Sequence, residues 1–362
     1  MSHASRDLLF IAHTGQASGA ENVMLSLVEV ALMRGDRVRV ACPDGPLCAR
    51  LPDGVSRVVI PPLGLTGERG ARRLVAASVM FARWARAAFV LRKPLRSSQV
   101  DVIINSTMAL PAVALARPDR ATTTWLVHDI LASGRQYAAA RAGRRAVRHA
   151  VAVSEAAATP VRAQGISVSV AVNGVTWPVD AASAPAVREP AVIGILGVIT
   201  EWKGHHVLLD AVARVPDVVV EIAGSALPGD EEYLAQLRTR AAKPDLAGRV
   251  RFLGRVDALP TLRGWDALVS ASVLPEAGQL VVLEAMSVGI PVIATDHGGY
   301  ADERVMVCVP PNDAGALAKG IAGLVTDLAL RQRLSLAGRA RVRESHDRSV
   351  TVLAMLDALV RE

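Results

Sequence analysis

Cysteine is scarce in this chain: Cys42, Cys48 and Cys308 are the only three in 362 residues. An odd count without a spaced framework excludes a disulfide scaffold and points to a reducing compartment. Aromatic side chains are scarce too, at 3%, so a core must be built from Ala, Val, Leu and Ile. Few aromatics also argue against single-stranded nucleic acid, whose bases need aromatic faces to stack on. No RNA- or DNA-binding motif is present. No uncharged apolar run reaches the length of a spanning helix. The start, Met1-Ser2-His3-Ala4-Ser5-Arg6-Asp7, lacks the charged segment, apolar region and small-residue cleavage site of a secretory signal. These absences predict a cytoplasmic protein.

Burial is not limiting, because 51% of the residues are hydrophobic. A chain this long exceeds what one core usually serves, so two domains are expected. Strand and helix patterns alternate throughout, which predicts α/β layers. The net charge of +7 favours anionic partners: nucleotide phosphates, acidic lipids or nucleic acid, the last disfavoured by the missing motifs.

The most informative stretch is Leu274-Pro275-Glu276-Ala277-Gly278-Gln279-Leu280-Val281-Val282-Leu283-Glu284-Ala285-Met286, followed by Gly289-Ile290-Pro291-Val292-Ile293-Ala294-Thr295-Asp296. Leu280 to Met286 suit a short helix, which Gly289 ends in a left-handed cap and Pro291 cannot continue. Val292 to Ala294 read as a buried strand. Glu276 then sits on a loop at a helix N-terminus, and Glu284 lies inside the helix. A helix N-terminus suits a phosphate. A nearby carboxylate can accept two vicinal hydroxyls of a ribose or hexose. The plainer alternative is that Glu284 complements the helix dipole and Glu276 is solvated.

Leu8 to Ala12 read as the first strand. The loop from His13 to Glu21 contains Gly15 and Gly19, a helix follows, and Arg37 to Ala41 form the next strand. This opens a doubly wound sheet. The Gly-x-Gly-x-x-Gly spacing of a dinucleotide site is missing. Arg69 to Leu95 form a basic helical stretch in which Leu74, Phe81 and Phe89 share a face. As an outer helix it would turn that face inward; as a basic amphipathic helix it could rest on an anionic membrane. The strand from Ala121 to Val127 ends at His128-Asp129. Its imidazole points to the crevice where parallel sheets bind ligands, unless Asp129 merely satisfies it. Asp180 to Pro190 read as a linker. Ala191 to Leu196 open a second sheet, and Lys203-Gly204 lie between that strand and a helix. An ammonium there can hold a diphosphate, although most lysines are simply on the surface.

Taken together, these features resemble retaining glycosyltransferases of family 4. The resemblance rests on Glu276 and Glu284, Gly289-Ile290-Pro291-Val292-Ile293-Ala294-Thr295-Asp296, Gly298-Gly299, Lys203-Gly204, the opening loop Gly19-Ala20-Glu21 and His128-Asp129. It implies a GT-B fold: two Rossmann-like α/β domains facing across a cleft. Residues 1–180 would bind acceptor, 181–190 link, 191–344 bind the nucleotide sugar, and 345–362 form a helix crossing back. It implies transfer of a sugar from a UDP- or GDP-sugar to a glycan, lipid-linked or small-molecule acceptor, in cell-envelope or polysaccharide synthesis. No metal or cofactor is expected, and the site would be cytoplasmic or peripheral at the inner membrane face.

By the same resemblance His128, Lys203 and Glu276 are catalytic. Gly15, Gly19, Lys203, Glu276, Gly278, Gln279, Leu280 and Glu284 hold the donor. Two departures stand out. Val198 replaces an arginine that usually shares the diphosphate, with Arg251 and Arg255 as conceivable substitutes. Gln279 stands where a bare backbone is usual. They leave room for a catalytically silent, sugar-nucleotide-binding subunit, and a sugar-nucleotide epimerase on the same fold is the other alternative.

Overall fold

A computed structural model describes residues 5–64, 72–95, 99–178, 188–227, 229–297 and 301–360, with backbone alone at 72–74. Most of the expected linker, the Gly298-Gly299 pair and the Leu74 side chain lie outside the described residues. The chain divides into two compact units, 1–173 with 349–362, and 174–348. The division thus comes earlier than residue 180, directly after Asn173.

The first unit runs β1 (Asp7–Ile11), α1 (Gly19–Met33), β2 (Arg37–Cys42), β3 (Ser56–Val59), α2 (Arg72–Leu95), β4 (Val100–Ile104), α3 (Leu110–Ala116), β5 (Thr123–Val127), α4 (Gly134–Gly143), β6 (His149–Ala152), α5 (Glu155–Arg162) and β7 (Val168–Val170). Its sheet order is β3-β2-β1-β4-β5-β6-β7, and every pair is parallel. Helices cover both faces of such a sheet, so its central strands must be apolar on both sides. Leu8, Leu9, Phe10 and Ile11 meet that demand at zero exposure.

The second unit contains β8 (Ala191–Leu196), α6 (His205–Val212), β9 (Val218–Ala223), α7 (Glu231–Ala241), β10 (Val250–Gly254), α8 (Ala258–Arg263), β11 (Ala267–Ser270), α9 (Leu280–Ser287), β12 (Val292–Thr295), β13 (Val307–Val309), α10 (Ala314–Thr326) and α11 (Leu328–Ser345). Its sheet is also parallel, in the order β10-β9-β8-β11-β12-β13. In both sheets the order reverses beside the first strand of the unit, which places a ligand crevice at the carboxyl ends there.

The final helix expected from Ser345 to Val360 is present and starts three residues later than expected. α11 ends at Ser345, and α12 (Arg348–Val360) starts after a break. The break is made by pairing: Val175 N–H donates to the His346 carbonyl, and Arg348 N–H donates to the Val175 carbonyl. α12 then belongs mainly to the first unit. Thr124 Oγ1 donates to the Leu359 carbonyl, Arg6 to the Val360 carbonyl, and Arg34 pairs with Asp357 at 3.0 Å.

α2 also differs from expectation. Phe81 and Phe89 are 61% and 74% exposed, and the inward face is Ala87, Ala88, Leu91 and Leu95. Small alanines allow close approach to α3, against which α2 packs, and that approach turns the phenylalanines outward.

One core contact in the second unit depends on a missing side chain. A Cβ added at Gly194 would lie 1.9 Å from the buried Trp265 ring. Trp265 is held there by Nε1–H donation to Glu221, at 2.8 Å. Gly194→Ala should therefore displace the indole and cost about 3 kcal/mol. Thermal unfolding is expected to shift down by roughly 6 °C or more. An unchanged melting curve would show that the ring does not rest on this backbone.

Candidate active site

In the second unit the site is built at the carboxyl ends of β8 and β11 and the start of α9. Lys203 closes a turn, Glu201–Lys203, after β8. Gly204 follows at φ +71, and a Cβ there would lie 1.9 Å from the Ala271 carbonyl oxygen. Only glycine satisfies both demands. The Lys-Gly pair is therefore what seats the turn against the end of β11.

Lys203 Nζ lies 2.6 Å from Glu276 Oε2 and 4.5 Å from the centre of the Trp202 ring. The two ionic side chains are only 18% and 12% exposed. The other Glu276 oxygen accepts from Ser272 Oγ. Thr295 Oγ1 and His297 Nε2 both hold the Ser272 carbonyl, at 2.8 and 2.9 Å. The carboxylate is thus fixed by a lysine and a serine that are themselves anchored.

Gln279 is the N-cap residue of α9, and Leu280 is that helix's first residue. Ser270 Oγ donates to the Gln279 side-chain oxygen, leaving the amide N–H groups for other partners. Gly278 precedes it, half-buried. A pocket beside α9 is lined by Glu276, Gln279 and Thr295 on its polar side and by Val282, Ala294 and Met306 on its apolar side.

Glu284 differs from Glu276. Its carboxylate makes no hydrogen bond to the described residues. Burial raises its pKa above the ordinary carboxylate range, and Asp257 adds to the effect. A half-buried carboxylate without protein partners takes its donors from water or from a ligand. Of the two conceivable substitutes for the arginine missing at Val198, Arg251 is already paired with Glu221 at 3.2 Å, and Arg255 is exposed.

The first unit holds the other expected residues. Gly15 is buried, and its small size has a packing reason: a Cβ there would lie 2.2 Å from the Asp44 carbonyl oxygen. Gly19 is exposed at the first residue of α1. Glu21 in that first turn accepts from the Ser18 hydroxyl and backbone N–H. His128 follows β5, and its hydrogen-bond partner is Asn105, at 2.8 Å, rather than Asp129. Burial and the neighbouring His13 push the His128 pKa down to about 3.

Sequence reasoning missed Asn105, Ser270, Ser272 and Trp202. The serines and the asparagine could have been found as short polar residues at the carboxyl ends of apolar strands.

Two family models match the chain. Glycosyl transferases group 1 matches residues 180–341, and Glycosyltransferase Family 4 matches residues 17–176.

The chain belongs to these glycosyltransferases.

Among relatives, the lipopolysaccharide core biosynthesis glycosyltransferase LpsE of Rhizobium meliloti is 32% identical over 186 residues, 50% of this chain and 53% of that protein. The phosphatidyl-myo-inositol mannosyltransferase of Mycobacterium leprae is 36% identical over 152 residues, 39% of this chain and 38% of the relative. The matched part thus spans about half or less of these relatives' length. Anabaena HepE, solved in complex with UDP and glucose, superimposes with a TM-score of 0.80 at 22% identity, covering 99% of this chain and 100% of the other. That likeness establishes the GT-B fold. Among the described residues no helix is long and apolar enough to cross a membrane.

His205, next to Gly204 and fully buried, gives the unit an acid limit. Burial, then the Lys203 charge, lowers its pKa from 6.5 to about 4. The unfolded chain takes up this proton near 6.5, while the folded chain refuses it until about 4. Stability is therefore complete above pH 6.5 and falls as pH drops through that window, by about 1.4 kcal/mol per pH unit for this group. Urea midpoints measured against pH should show the slope. His205→Leu should lower the slope by one proton's share, and an unchanged slope would contradict this account.

Proposed function

We propose that this chain is a retaining glycosyltransferase that moves a sugar from a nucleoside diphosphate sugar to a cell-envelope acceptor. The observation that carries the reading is the anchored Lys203–Glu276 pair beside the N-terminus of α9, with Glu284 in the middle of that helix making no hydrogen bond to the described residues. Glu284 accepts the two ribose hydroxyls. Lys203 turns from Glu276 to the diphosphate and neutralises charge as it leaves. Glu276, Gln279 and the N–H groups of Leu280 and its neighbours orient the sugar, with Gly278 giving access. Gly19 and Gly15 shape the loop in the first unit, and His128 contacts the sugar.

In the reaction the bond from the anomeric carbon to the diphosphate oxygen breaks. A bond to the acceptor oxygen forms on the same face, and the acceptor proton passes to the departing phosphate. No side chain of the site is placed in the role of covalent nucleophile. Lys203 supplies the positive charge, so transfer is expected without a metal.

A uridine nucleotide is the first donor to test, because the HepE structure contains UDP. The relatives named for lipopolysaccharide core and phosphatidyl-myo-inositol support an envelope acceptor. Calorimetric titration of UDP, GDP and ADP, with chelator present, should find one nucleotide that binds. Lys203→Ala and Glu284→Ala should each weaken it about tenfold or more. If no nucleotide binds at millimolar concentration, the loss of the arginine at Val198 outweighs what remains, and a silent subunit becomes the better reading.

The acceptor is proposed to be presented at an anionic membrane surface. Residues 1–173 with 349–362 carry 23 basic and 13 acidic side chains, while 174–348 carry 18 and 21. The excess positive charge therefore lies in the first unit. Its α2 has no acidic residue and exposes Val75, Val79, Phe81 and Phe89 together with Arg86, Arg92 and Lys93. Basic side chains near an anionic surface contribute about 1 kcal/mol each. In flotation assays the protein should bind vesicles containing phosphatidylglycerol, not pure phosphatidylcholine, and should be released by high salt. Phe81→Ser with Phe89→Ser should weaken binding. Equal binding to both vesicle types, or to neither, would remove this part of the proposal.

A further inference from the structure

β1, β4 and β5 are neighbours in the first sheet and run parallel, so their carboxyl ends emerge side by side. Just past those ends stand His13, Asn105 and His128. Asn105 is 1% exposed, and its backbone N–H donates to the Ile11 carbonyl at 2.9 Å. Its side chain meets two groups. The amide nitrogen is 3.4 Å from the Ala20 carbonyl in the first turn of α1, and the amide oxygen is 2.8 Å from His128 Nε2.

The first of these contacts decides the second. A backbone carbonyl can only accept, so the amide NH2 must face Ala20, and turning the amide over would set two oxygens against each other. The amide oxygen therefore faces His128, and an oxygen can only accept from it. His128 must carry its proton on Nε2. Burial and the neighbouring His13 keep this imidazole neutral. Asp129, the other charged group nearby, acts on His13, raising its pKa against the larger lowering by burial. A neutral ring with its proton on Nε2 has its lone pair on Nδ1, which has no hydrogen-bond partner among the described residues.

We propose that Asn105 is a positioning residue that locks His128 in the Nε2–H form, so that His128 serves the transferred sugar as a hydrogen-bond acceptor at Nδ1. This rests on the reading that His128 contacts the sugar. It deepens that reading by fixing the direction of the contact. A sugar hydroxyl can donate to His128, whereas a ring oxygen or a phosphate oxygen finds no donor there. Asn105 also ties His128 to the turn of α1 that directly follows Gly19, so the glycine loop and the histidine are held as one piece.

The test is long-range proton–nitrogen correlation NMR on the full chain with labelled histidine, His128 being identified by loss of its signals in His128→Gln. The wild type should show one neutral form, Nε2–H, from pH 8 down to pH 5. The Nδ1–H form, a mixture, or a charged ring at pH 5 would overturn the proposal without any variant at Asn105. In Asn105→Ala the second tautomer should appear; a spectrum that keeps the single Nε2–H form would show that another group sets it. In Asn105→Asp, which keeps an acceptor facing His128 but sets an oxygen against the Ala20 carbonyl, the ring should become charged within the measured range. Asn105→Ala should lower kcat by roughly tenfold with little change in nucleotide affinity. If His128→Gln leaves transfer intact, the sugar-contact reading fails, while the tautomer assignment is still judged by its own spectrum.

Discussion

Every strand pair in both sheets is parallel, and that constraint governs where chemistry can be placed. A central parallel strand is covered on both faces, so its side chains must be apolar. Polar groups are pushed to the strand ends. The carboxyl ends are where the helix N-termini begin and where backbone N–H groups are left over. His128 and Asn105 in the first unit, and Ser270, Ser272 and Lys203 in the second, all occupy such positions. The site is a consequence of the sheet before it is a consequence of any particular residue.

Within that frame the Lys203–Glu276 pair is held on several sides. Trp202, Ser272 and Thr295 all contribute to its position. A mostly buried ion pair gains little net stability, because desolvation offsets attraction. Its value here is geometric. Each charge fixes the place of the other. Under the proposed function an arriving diphosphate would replace one anion by another next to Lys203.

Much of this was legible in the sequence because it was local. β8 and β12 match the apolar runs Ala191–Leu196 and Val292–Ala294, and Gly289 takes the left-handed cap at φ +78 that its place after α9 suggested. What was not legible depended on partners far along the chain. The gap between α11 and α12 has no Gly or Pro, since it is made by Val175. The facing of α2 was misjudged because alanines weigh little in hydropathy yet decide close packing. Gln279 looked like an intrusion until Ser270 was seen to hold it. Asn105 carried no motif at all, and its meaning comes from Ala20 and His128.

The first unit is assembled from two separated pieces of chain, and the later piece supplies most of α12. Val352, Met355, Leu356 and Leu359 of that helix are buried, and Thr124, Arg6 and Arg34 all bond to it. During synthesis the order of completion therefore inverts the order of the sequence. The second unit, 174–348, is whole before the first can be. At about 5–20 residues per second, that intervening stretch takes on the order of ten to thirty seconds to make. For that interval the nascent chain carries a sheet whose last helix does not yet exist.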